Sequence, residues 1–84
     1  MADAQQIEAE LLGFVRREVF AATVELTPET DLVAAGFDSM SLVRVLLFVE
    51  TTYGFWVPEK EITDVALSNV RSLATTICRL LHER

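Results

Sequence analysis

Apolar residues recur at three- and four-residue spacing along most of this chain, and nowhere do they alternate for long enough to build a sheet. Between Asp3 and about Phe20 the helical pattern falls on Ile7, Leu11, Leu12, Phe14, Val15 and Val19. Asp3 stands where an N-cap is wanted. Gly13 weakens this helix by roughly 1 kcal/mol relative to Ala, so packing has to hold it. A second helix is predicted from Ser39 to about Tyr53, closing near Gly54. Val57-Pro58-Glu59 opens a short third helix, with Pro58 tolerated in its first turn. Ser68 or Asn69 caps a fourth, whose apolar stripe is Val70, Leu73, Ile77, Leu80 and Leu81. The expected fold is all-α: a small four-helix bundle, three longer helices plus the short third one, in a single domain over residues 1–84.

Residues 21–37 read as a long loop. Thr27-Pro28-Glu29-Thr30-Asp31 is turn chemistry, and Gly36 marks a special backbone position. Leu26, Leu32 and Phe37 are spaced to anchor the loop on a core. A loop of this length inside a small domain is usually functional.

The second helix is too greasy for one face. With Leu42 at zero and about 100° per residue, Leu42, Val45, Leu46, Val49 and Tyr53 fall within an arc of roughly 100°. Met40, Val43 and Leu47 lie on the far side with Arg44 and Thr51, and Phe48 sits between the two faces. Such a helix either lies central and buried all round, or keeps an exposed apolar surface for a partner. A chain of 84 residues has little material left to cover that second surface, which favours docking.

Several classes fall away. The net charge of −6, from 13 acidic and 7 basic residues, argues against nucleic acid. It suits basic protein partners, and equally plain solubility. Cys78 is the single cysteine, so no internal disulfide is expected. The opening MADAQQIEAE is acidic and polar, unlike a signal peptide. The longest apolar run, Val45 to Val49, is far too short to span a bilayer. A cytoplasmic location, no membrane and a monomeric state are the expectations.

Little in the chain looks reactive. Ser39 follows Asp38 at the start of the second helix, but His82 is the single histidine and lies three residues from the end. The glycines of a nucleophile elbow are replaced by Phe37 and Ser41. No catalytic residue is assigned, and no enzyme is expected. Cys78 and His82 share a helix face, yet two ligands do not make a structural zinc site. Asp31 and Asp38 lack calcium-loop spacing, so no metal is assigned. Taken alone, Asp38-Ser39 reads as helix capping.

The wider context of that pair resembles the acyl carrier and peptidyl carrier proteins. Leu32, Gly36, Asp38, Ser39 and Met40 match their Gly-x-Asp-Ser-Leu hallmark with its upstream leucine, Met replacing Leu. Tyr53-Gly54 and Val57-Pro58-Glu59 fall where the family enters its third helix, and Ser68 to Ile77 resembles the start of its last. The resemblance implies covalent 4'-phosphopantetheine on Ser39, delivered from coenzyme A by a phosphopantetheinyl transferase, with Asp38 as the helix cap beside it. It implies cargo held as a thioester, loaded by an acyl- or aminoacyl-ligase or an acyltransferase and passed to a downstream synthase or transferase. Docking then falls to Met40, Val43, Arg44, Leu47 and Phe48.

The second helix departs from fatty-acid-synthase carriers, since Glu50 is its single acid after Asp38 and Arg44 stands where an acid would be expected. Phe37-Asp38-Ser39-Met40 is more similar to D-alanyl carriers and to the discrete carriers of polyketide and nonribosomal peptide pathways. Phe55 and Trp56 could line a cargo channel, contact a partner or simply anchor their loop. The competing reading is a helical interaction module without cofactor, using the same apolar face.

Overall fold

The computed structural model describes residues 3–20 and 25–83, and all regular structure among them is helical. Helix α1 spans Ala4–Phe14, α2 Ser39–Tyr53 and α3 Val70–His82. Each begins at a residue whose side-chain oxygen accepts a backbone N–H three positions on. Asp3 takes that of Gln6 at 2.8 Å, Asp38 that of Ser41 at 2.9 Å, and Asn69 that of Ser72 at 2.8 Å. An Asx side chain at the N-cap satisfies one of the amides that the first turn leaves unpaired. At the other end of α2, Gly54 adopts φ 81°, a left-handed conformation that closes the helix at small steric cost.

The short third helix is reduced to one 3-10 turn, Glu59–Glu61, after Pro58. Ile62, at ψ 81°, leaves helical space and stops it there. The first helix also differs from expectation. Past Phe14 it widens into a π-helical turn, Val15–Val19, in which the Phe20 N–H reaches back to the Val15 carbonyl at 3.0 Å. Apolar spacing reports which residues face inward but not how wide a turn is.

The core gathers Ile7, Leu11 and Val15 with Val45 and Val49 of α2 and Val70, Leu73 and Ile77 of α3. Helix α1 packs principally on α3. Residues 25–37 of the expected loop hold no helix or strand, and its residues 21–24 lie outside the described residues. Leu26, Leu32 and Phe37 are buried as its anchors. Its backbone is also sewn down: the Leu32 N–H donates to Ser68 O at 3.0 Å, and the Arg71 N–H to Pro28 O at 2.9 Å. The Arg16 guanidinium donates to Leu26 O at 2.7 Å. Arg71 adds ion pairs to Glu8 and Glu29, linking α3 to α1 and to the loop. These contacts fix where the loop delivers Asp38 and Ser39.

Candidate functional site

Asp38 and the first turn of α2 form the site. The Asp38 carboxylate accepts from the Ser41 N–H at 2.9 Å and from the Ser41 hydroxyl at 3.0 Å. The Ser41 amide, and then its hydroxyl, hold the Asp38 carboxyl below its ordinary value of 3.8 by stabilising the charged form. Ser41 is thereby committed, and it is only 8% exposed. Ser39 is the opposite case. It is exposed, and its hydroxyl has no hydrogen-bond partner among the described residues. Two serines two positions apart are sorted by one aspartate into a structural group and a free one.

Beside Ser39 opens a cleft of about 470 Å³. Val33, Phe37, Leu42 and Leu67 wall it, and Asp38 and Asp64 bring carboxylates to it. Leu42, expected in the core, is only half-buried because it forms this wall. Spacing gave no sign of Asp64 or Leu67 as site residues, since the segment that bears them meets α2 only through the fold. Val33 carried a weak signal as an apolar residue in a polar loop, and it is exposed.

The far side of α2 is open. Met40 is 66% exposed, Val43 46% and Leu47 50%. Phe48 is drawn toward the core instead. Its ring stacks on Phe14 with centroids 4.4 Å apart, and the Tyr53 ring meets its edge at 6.1 Å. Arg44 is exposed, but its guanidinium donates to the Glu18 carbonyl at 2.7 Å. It therefore also caps the end of the widened turn that follows α1.

Phe55 and Trp56 do not join the Ser39 cleft. They follow the far end of α2, about 20 Å along a helix of fifteen residues. There they line a separate cleft with Pro58, Lys60 and Leu80. Cys78 Sγ lies 3.4 Å from His82 Nδ1, and the described residues hold no group of three potential metal ligands. Nor do they hold a helix long and apolar enough to cross a membrane.

A family profile described as Phosphopantetheine attachment site matches residues 7–77, which takes in most of α1, Ser39 and most of α3. The chain is 36% identical over 70 residues to Aminoacyl carrier protein 1 of Bradyrhizobium diazoefficiens, covering 83% of this chain and 76% of that one. Two solved structures of Bradyrhizobium japonicum glycine:[carrier protein] ligase contain chains that superpose on it. In the complex with glycylated carrier protein the match has a TM-score of 0.65 at 29% identity, over 87% of this chain and 96% of that one. In the complex with cognate carrier protein and an analogue of glycyl adenylate it has a TM-score of 0.68 at 28% identity, over 90% and 96%.

Proposed function

The chain belongs to the phosphopantetheine attachment-site family, and from that premise we propose that Ser39 bears the arm, that the cargo is an aminoacyl group, and that an amino acid:carrier ligase loads it. The protein is a substrate-bearing partner of enzymes rather than a catalyst, and phosphopantetheine is its covalent cofactor. When bound, the arm supplies a terminal thiol on which cargo is held as a thioester.

The observation that carries the Ser39 assignment is its exposed, unpartnered hydroxyl beside the bonded and buried Ser41. The residues present fit the group. In attachment, Ser39 Oγ would lose its proton to the transferase and bond to the pantetheine-side phosphorus of coenzyme A, as the pyrophosphate P–O bond breaks and adenosine 3',5'-bisphosphate leaves. A phosphodiester on Ser39 would sit at the positive end of the α2 dipole. Asp38 holds that turn in place through Ser41. The cleft offers apolar surface directly beside the attachment point.

Aminoacyl cargo is supported by the named relative and by the glycine ligase complexes. The exposed strip of Met40, Val43 and Leu47 is the docking face in this reading, with Arg44 at its edge and Phe48 flanking it. With Glu50 as the one acid of α2, docking here is hydrophobic and salt-insensitive rather than steered over distance. We further assign residues 1–84 to one cytoplasmic, monomeric carrier domain serving specialised polyketide or nonribosomal peptide-type metabolism, built on the family's four-helix plan with Glu59–Glu61 as its vestigial third helix.

Intact mass after incubation with coenzyme A and a broad-specificity phosphopantetheinyl transferase tests the assignment. A single arm, absent in Ser39→Ala, is the expected result. No gain of mass with helical circular dichroism retained would overturn it and favour the cofactor-free interaction module. Glycine, ATP and a glycine:carrier ligase then test the cargo class through the added glycyl mass.

A further inference from the structure

The cleft beside Ser39 has apolar walls and a one-signed rim. Val33, Phe37, Leu42 and Leu67 make the walls, while Asp38 and Asp64 bring negative charge and no Lys or Arg among the described residues lines it. The two carboxylates are not equivalent. Asp38 is engaged by the amide and hydroxyl of Ser41. Asp64 makes no hydrogen bond or ion pair among the described residues, although its neighbour Thr63 accepts from the Ala66 N–H. Arg71 and Arg79 are paired with Glu8, Glu29, Glu61 and Glu83. Arg16 and Arg44 are taken by backbone carbonyls. An apolar cleft at the root of a cargo arm therefore holds one uncommitted anion.

We propose that Asp64 is a specificity-determining residue: it receives the α-ammonium of an aminoacyl cargo folded back into this cleft, and it disfavours cargo ending in a carboxylate. The inference rests on Ser39 as the attachment site. A cleft of about 470 Å³ lies within the usual range of small-molecule sites, roughly 300–1,000 Å³. An ammonium brought against apolar walls needs a charged partner, and Asp64 is the acceptor without one. Asp64 is exposed, so this attraction is partly screened by solvent, and the phosphodiester at Ser39 adds to the repulsion of an anionic cargo. A neutral acyl group gains only the apolar walls. The cleft thus discriminates by charge at the free end of the cargo.

The test uses the full chain, loaded by the transferase from coenzyme A analogues that carry glycyl, acetyl or succinyl groups through a stable amide. Methyl resonances of Val33, Leu42 and Leu67 report cleft occupancy. The glycyl arm is expected to shift them relative to the unloaded arm, and the succinyl arm to leave them unmoved. Asp64→Asn should lower the glycyl-bound fraction about two- to fivefold, the size of a partly exposed charge pair. It should leave the acetyl arm unchanged and let the succinyl arm in, and Asp64→Glu should restore the preference for glycyl. Equal shifts from glycyl and acetyl arms, untouched by Asp64→Asn, would make this a neutral-chain cleft and overturn the inference. So would an absence of shifts from any cargo. A chain that accepts no arm at Ser39 overturns the attachment reading as well, so the two failures are told apart at the loading step.

Discussion

Asp38 accepts two hydrogen bonds from Ser41 and none from the hydroxyl of Ser39 among the described residues. Capping and attachment are therefore separable by mutation. Ser41→Ala should still accept the arm while lowering the thermal midpoint, because it removes a buried hydroxyl and one partner of the cap. Ser39→Ala should leave the midpoint unchanged and abolish loading. Asp38→Asn carries a pH signature with a definite sign. Ser41 depresses the Asp38 carboxyl in the folded state, so the charged cap contributes stability above its unfolded value. That contribution is lost as pH falls through the lower folded value. The wild-type advantage in midpoint over Asp38→Asn should hold from neutrality down to about pH 4 and fall away as the pH drops further, through the depressed folded value. An advantage that persists at pH 2 would remove the charged cap as its cause.

Helix α2 carries two apolar faces, and packing spends them differently. Val45 and Val49 are fully buried, whereas Met40, Val43 and Leu47 face solvent. Leu47→Asp should leave urea unfolding within about 0.5 kcal/mol of wild type, as exposed substitutions usually do. It should raise the KM of the loading ligase for the carrier several-fold. Arg44→Glu is a mixed case, because Arg44 also holds the Glu18 carbonyl. It should raise the same KM and also speed amide exchange in the Val15–Val19 turn. Faster exchange with unchanged ligase kinetics would assign Arg44 to the fold alone. The two-sided greasiness of α2 was legible from spacing. The place of Phe48 was not, because its ring is claimed by Phe14, thirty-four positions earlier in the chain.

Taken as a body, the protein is small enough that its loop belongs to the core. Leu32 is fully buried, and its N–H is tied to Ser68 just ahead of α3. Leu32→Ala should destabilise the chain by about 2–5 kcal/mol, as does truncation of a buried leucine elsewhere. Domains of this size have roughly 5–15 kcal/mol in total, so the variant should show a clear fall in urea midpoint. Because the same loop supplies Val33 and Phe37 to the cleft, loading of Ser39 should slow with it. Ile77→Ala offers the comparison: it is equally buried, but on α3. It should match the loss of stability while disturbing the cleft less, as read from the Val33 methyl resonances.

Local chemistry decided the caps and the helical class. Asp3, Asp38, Asn69 and Gly54 act on amides or turns within four residues of themselves, so the amino-acid order marks them, leaving open only the choice of Ser68 or Asn69 ahead of α3. The loop anchors Leu26, Leu32 and Phe37 were equally legible, because large apolar side chains in a polar stretch have nowhere else to go. The widened turn after Phe14, the shrinking of the third helix to Glu59–Glu61 and the partner of Arg44 were decided only by tertiary packing. So was the cleft, where Val33, Leu42 and Asp64 converge from three separate segments. Periodicity records which side of a helix is apolar. It carries no information on which loop segments fold against that side, and their placement determines which residues line the space between them.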